Sequence, residues 1–212
     1  MTTMNITFQC ESLTLEGRVS FPRGTGPFPG IVLCHPHPLY GGDLDNSVLG
    51  DMAAALVDHQ MAALVFNFRG VGNSQGAYDE GLGEVADAQA AVQFLAEHPS
   101  IDRNRLGIAG YSFGAGIALD ATAENHDLGA VASVACPTPS LNDPVLHQIN
   151  RPKLFIQGDT DYLLQIDLFR FLVRRFQPPR EVEVLSGVDH LLANCEPEVG
   201  SLVAEFFGRT LT

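Results

Sequence analysis

The chain of 212 residues has no apolar run long enough to span a bilayer. Its first residues, Met1-Thr2-Thr3-Met4-Asn5, lack the basic-then-apolar plan of a secretory signal, so a cytoplasmic protein is expected. No cluster of Lys and Arg offsets a formal net charge of -13. Nucleic acid and anionic membrane surfaces are therefore repelled on average, and neither is expected as a partner. The four cysteines, Cys10, Cys34, Cys136 and Cys195, are widely spaced and show no CxxC pattern. A disulfide framework does not suit a reducing compartment. Cys34 and Cys136 end apolar runs and are expected in the core. With no long polar tract, no repeat and no linker, residues 1–212 read as one domain large enough to bury a core.

What is present is an alternation of strands and helices. Residues 5–21 predict two antiparallel strands, because Leu13, Leu15, Gly17, Val19 and Phe21 alternate with polar neighbours. Gly30–Cys34, Ala62–Asn67, Arg105–Ala109, Ala130–Ala135, Lys153–Gln157 and Glu181–Leu185 are short apolar-rich strands. Asp45 or Asn46 is placed to cap one helix, others are predicted over about 83–98 and after Phe113, and Leu164, Leu168, Phe171 and Leu172 mark another. A final helix starts near Pro197. The pattern predicts an α/β domain with a mostly parallel sheet, helices on both faces and an antiparallel N-terminal edge. In such sheets the loops at the C-terminal strand ends build the site.

One of those loops is Gly110-Tyr111-Ser112-Phe113-Gly114, a strand breaking sharply into a helix with a serine at the break. Such a turn holds the serine in a strained conformation that lifts its hydroxyl clear of the sheet. A serine hydroxyl needs a base within reach, and the base needs an orienting partner. Of the histidines after Ser112, His126 lies in a polar stretch and His147 in a loop, whereas His190 directly follows a strand. Asp159 and Asp161 both follow the strand ending at Gln157. Asp161 is favoured as the orienting acid, with Asp159 shaping the turn. Asp189 is too close to His190 in sequence to serve.

Acyl transfer also needs backbone donors for an oxyanion. Phe113 N–H is one candidate. The second is sought in His35-Pro36-His37-Pro38-Leu39-Tyr40, where proline has no N–H. His37 N–H is the best placed, with Leu39 and Tyr40 as fallbacks. His35 and His37 also have the spacing of a metal pair, with Asp43 and Asp45 nearby. No third histidine is near in sequence, so neither a metal nor a cofactor is expected. Instead the prolines are expected to stiffen the loop and His35 to bond locally. Arg69 and Asn73-Ser74 are placed to pair with it from the adjacent strand end.

With Ser112, Asp161 and His190 in that order, the chain resembles the α/β-hydrolase superfamily over about residues 12 to 207. The resemblance rests on His35–Gly42, Phe68–Ser74, Gly110–Gly114, Gly158–Asp161 and Gly187–His190. The HPHPLYGG loop is similar to that of a small bacterial branch related to dienelactone hydrolases. This implies a compact serine hydrolase with no cap domain. The usual His-Gly of the oxyanion loop is His35-Pro36 in this chain, and the cysteine nucleophile of dienelactone hydrolases is replaced by Ser112. The interval from Cys136 to Lys153 is too short for the helical lid of many relatives.

The expected function is cleavage of small carboxylic esters or thioesters, with Leu39, Tyr40, Leu191 and Leu192 lining a small apolar pocket or serving as ordinary packing. Amide or peptide hydrolysis, cofactor-free perhydrolysis and non-catalytic ligand binding are the alternatives that the same fold permits.

Overall fold

The alternation at the N-terminus folds as a hairpin in the computed structural model, which describes residues 1–211. Strand β1 (Thr2–Cys10) pairs antiparallel with β2 (Leu13–Phe21), and Leu15, Gly17, Val19 and Phe21 face inward. Six further strands follow: β3 (Phe28–Cys34), β4 (Ala62–Phe66), β5 (Ile101–Tyr111), β6 (Leu128–Val134), β7 (Lys153–Gly158) and β8 (Arg180–Leu185). They complete one sheet in the order β1-β2-β4-β3-β5-β6-β7-β8. The hairpin joins it through antiparallel pairing of β2 with β4, and every later pairing is parallel.

Helices cover both faces. On one side α1 (Ser47–Asp58) and α6 (Glu196–Thr210) bury Leu49, Met52, Val199 and Val203 against Ile31, Leu33 and Ala109. On the other, α2 (Leu82–Ala96), α3 (Phe113–Glu124) and α5 (Ile166–Val173) pack over Val32, Ile108 and Phe155. Helix α4 (Thr138–Leu141) is a single turn in the interval where relatives with a lid carry one. Asn46, not Asp45, caps α1 by accepting from Val48 N–H. Asp45 instead pairs with Arg18.

The helix marked by Leu164, Leu168, Phe171 and Leu172 is present as α5, but of those four residues only Leu172 faces inward from it. Its inward residues are Phe169, Leu172 and Val173, with Ile166 packed beside them, while Leu168 and Phe171 are exposed. The helix begins only at Ile166, after Leu164 has already turned into the core, and a 3.6-residue period from Ile166 puts Leu168 and Phe171 outside.

The four cysteines are free, and burial pushes the thiols of Cys34 and Cys136 up, so they stay protonated as packing groups. The only lysine, Lys153, is also buried. It donates to the carbonyls of Gln177 (2.8 Å) and Pro179 (3.0 Å), and burial lowers its pKa to about 8.

Two approaches between backbones fix where β5 meets α3. A Cβ on Gly110 would overlap the carbonyl of Gly114, and one on Gly114 would overlap the carbonyls of Cys34 and His35. The first turn of α3 therefore sits directly against the ends of β5 and β3.

The loop after β3 is held by His35, which is fully buried. Its Nε2 accepts from Phe68 N–H at 3.1 Å, and its Nδ1–H donates to Pro36 O at 2.6 Å. Both ring nitrogens are thus engaged by the backbone, and neither is free for a metal. Arg69 and Asn73-Ser74 do not pair with this loop as predicted. The Arg69 guanidinium lies on Asp87 of α2, Asn73 bonds Glu16, and Ser74 accepts from Glu16 N–H and donates to Asn67 O. A buried carboxylate at Asp87, invisible in a helix read for its apolar face, offers Arg69 a bidentate partner that the loop lacks.

Burial lowers the His35 pKa to about 4 from its ordinary 6.5. The sign follows from proton linkage. Between those values the unfolded chain binds a proton that the folded chain refuses, so stability falls as pH drops. Full titration costs roughly 3 kcal/mol. Urea unfolding at pH 7 and pH 4.5 checks this. His35→Gln should lose about one proton's worth of the pH dependence. An unchanged slope in that variant contradicts the assignment.

Candidate active site

Ser112 is the residue between β5 and α3, and its backbone is strained. At φ 54° and ψ −118° it occupies a region that side-chain-bearing residues rarely visit. Two hydrogen bonds brace it: Ser112 N–H donates to Val134 O, and Ala115 N–H donates to Ser112 O, both at 2.9 Å.

The hydroxyl so presented meets His190. Ser112 Oγ lies 2.9 Å from His190 Nε2, and His190 Nδ1 lies 2.7 Å from Asp161 Oδ2. Because the carboxylate can only accept, Nδ1 carries the proton and Nε2 is left to accept from the serine. The three residues come from three separate strand ends, those of β5, β7 and β8.

Asp161 is almost fully buried and accepts from four donors. Oδ1 takes Leu163 N–H (2.7 Å) and Leu164 N–H (3.3 Å), and Oδ2 takes His190 and Gln157 Nε2 (2.8 Å). Burial alone would raise its pKa, but the bonds from His190 and the two backbone N–H groups outweigh it and hold the carboxyl below its ordinary value. The choice between the two aspartates follows from geometry. Asp159 accepts from Gly187 N–H at 2.6 Å and Ser186 Oγ at 3.2 Å, closing the turn between the β7 and β8 loops. Asp189 caps its own turn through Leu191 N–H.

Two supporting residues escaped the sequence reading. Tyr111, inside the elbow, donates its hydroxyl to His190 O at 2.8 Å, and burial pushes its pKa up to about 12, so the donor persists. Gln157, fully buried, holds Asp161 through Nε2 while its Oε1 has no partner. A flipped amide would set Oε1 against the carboxylate, so the charge on Asp161 fixes the orientation. A sequence signal existed for Gln157: it is the polar residue that directly follows the apolar run Leu154-Phe155-Ile156 and leads to Asp161.

The two candidate oxyanion donors are neighbours. Phe113 opens α3, where a helix leaves its first N–H groups without intrahelical acceptors. The His37 ring lies 4.9 Å from the Phe113 ring, on a loop wound into a 3-10 turn at Pro38–Tyr40. Leu39 N–H and Tyr40 N–H, the fallbacks, are both used inside that turn, bonding His37 Nδ1 and His37 O.

The four residues expected to line a pocket do not act together. Leu192 is fully buried in the core beneath α6 and touches no open site. A positive φ of 57° turns it inward, away from Leu191. Leu39, Tyr40 and Leu191 are 67%, 86% and 60% exposed, so they border an open surface and do not enclose a cavity.

Comparison with known proteins agrees with this fold. Residues 12–168 match the model of the X-Pro dipeptidyl-peptidase (S15) family. An α/β serine hydrolase homologue from Coxiella burnetii is 34% identical, with a TM-score of 0.86 over 97% of each chain. A Xanthomonas campestris protein described as an α/β serine hydrolase without a lid is 25% identical, with a TM-score of 0.87 over 100% of this chain and 96% of its own. An uncharacterised protein of Rickettsia prowazekii is 31% identical over 90% of this chain and 84% of its own length. Because that family model matches most of the chain and the fold is that of these serine hydrolase homologues, the chain belongs to the X-Pro dipeptidyl-peptidase (S15) family of the α/β-hydrolase superfamily.

Proposed function

We propose that the protein is a serine hydrolase that cleaves small carboxylic esters or thioesters through an acyl-enzyme on Ser112. The observation that carries this reading is the unbroken line from Ser112 Oγ to His190 to Asp161, at 2.9 and 2.7 Å.

In this reading Ser112 Oγ attacks the acyl carbonyl as His190 Nε2 removes its proton. Asp161 holds the imidazole in the required tautomer and stabilises the imidazolium that forms. The N–H groups of Phe113 and His37 receive the oxyanion, and the N-terminus of α3 favours the negative charge there. His190 then protonates the leaving alcohol or thiol. Water attacks the acyl-enzyme with His190 as base, and a second oxyanion collapses to release the acid and restore Ser112.

Amide cleavage is the second reading, favoured by the peptidase for which the matching family is named. A panel of short p-nitrophenyl esters, thioesters and Gly-Pro-p-nitroanilide separates the two. Turnover of the esters with little of the anilide is expected, and Ser112→Ala should lower kcat on the order of 10³-fold or more. Ester turnover that persists in Ser112→Ala would assign the activity to another group.

Gln157 is a positioning residue in this scheme. Replacing it by leucine removes one donor from Asp161, which raises the carboxyl pKa and loosens His190. The expected result is a fall of about tenfold in kcat with KM little changed, and an acid limb of the kcat/KM profile moved upward. Loss of activity with an unmoved acid limb would reduce Gln157 to a packing role.

A further inference from the structure

On the Phe113 side of Ser112 four rings stand together. The His37 ring is 4.9 Å from Phe113, 5.1 Å from Tyr78 and 4.7 Å from Tyr40. Tyr78 is 6.0 Å from Phe113, which is seated below on Phe68 at 5.9 Å. The inner rings are partly covered, whereas Tyr40 is 86% exposed, so the group ends in an uncovered aromatic edge.

This group is held rigidly. His37 Nδ1 accepts from Leu39 N–H, which leaves Nε2–H to donate to Tyr78 Oη at 3.3 Å. The buried carboxylate of Glu84 accepts from Asp79 N–H at 2.9 Å and Gly81 N–H at 2.8 Å, on the C-terminal side of Tyr78. Arg69, at the start of the same loop, is clamped to Asp87. Two loops after different strands are thus fixed so that their rings meet beside the serine. Across the site, Tyr162 stands 67% exposed with its ring 6.1 Å from His190.

We propose that the surface formed by His37, Tyr40, Tyr78 and Phe113 is a subsite for an aromatic ring of the substrate, so that the preferred esters carry a phenyl-type group. The assignment rests on the reading of Ser112 as the point of attack. Rings prefer to meet rings in offset or edge-to-face arrangements at 4.5–7 Å. The four rings are tilted to one another by 41–57° and end in the exposed Tyr40, so they present polarised ring edges and faces that a planar ring uses better than an aliphatic one of equal size. Leu39, Tyr40 and Leu191 are exposed around the site, so an open surface beside it is where binding energy is available. The ring sits in either the acyl or the alcohol portion of the ester, and matched substrates distinguish the two.

Binding is tested apart from catalysis by titrating Ser112→Ala protein with 4-phenylbutan-2-one and 4-cyclohexylbutan-2-one, followed by NMR. The phenyl ketone should bind about fivefold tighter. Adding Tyr40→Ala, a change at an exposed position that leaves the core intact, should bring the two to parity, as should Tyr78→Leu. On the unsubstituted protein, methyl 3-phenylpropanoate and 2-phenylethyl acetate are compared with their cyclohexyl counterparts in a pH-stat. The phenyl ester should be preferred in one of the two pairs. Equal or tighter binding of the cyclohexyl ketone, or a phenyl preference that survives Tyr40→Ala and Tyr78→Leu, overturns the subsite. Phenyl-selective binding without turnover of any ester would instead overturn the hydrolytic reading and leave the subsite standing.

Discussion

At the elbow α3 begins in close contact with the ends of β3 and β5, and the arrangement of the site depends on it. Only glycine fits at positions 110 and 114, because their α-carbons face the carbonyls of Gly114, Cys34 and His35. That approach forces Ser112 to φ 54° and puts its hydroxyl outside the sheet. Strain of this kind costs of order 1–3 kcal/mol and survives only where the surroundings over-determine it. Here they do: β6 takes Ser112 N–H through Val134, and α3 is buried on nearly every side.

The same approach sets the neighbourhood in which the proposed chemistry takes place. It puts the start of a helix next to the loop after β3, where the His37 ring lies 4.9 Å from that of Phe113. From the other direction, the parallel pairing of β7 with β8 brings Asp161 and His190 to adjacent strand ends, and Asp159 ties the two loops together. The polar groups behind the triad line are buried and engaged, with Gln157 Oε1 the exception at the site.

Much of this was legible in the sequence because it depends on local pattern. Period-two alternation gave the hairpin, apolar runs gave the central strands, and Gly-x-Ser-x-Gly gave the elbow. The order Ser112, Asp161, His190 followed from asking which polar residues sit directly after strands. What remained hidden depends on contacts distant in sequence. The sequence favours Asp161 over Asp159 without fixing the choice, which the bond from His190 to Asp161 and the turn that Asp159 makes with Ser186-Gly187 settle in the structure. Leu192 reads as a loop leucine until a positive φ turns it into the core. Glu84 and Asp87 are spaced as ordinary helix-surface acids, yet both are buried because the loop after β4 supplies their donors. The aromatic surface joins residues 37, 40, 78 and 113, a set that no window of sequence contains.

If Ser112 is a nucleophile activated by His190, a small fluorophosphonate should modify it, which intact-protein and peptide mass spectrometry reads directly. One adduct per chain is expected, on the peptide containing Ser112, absent in Ser112→Ala and formed far more slowly in His190→Gln. Folded protein that takes up no adduct, or carries it on another residue, would contradict that role of Ser112.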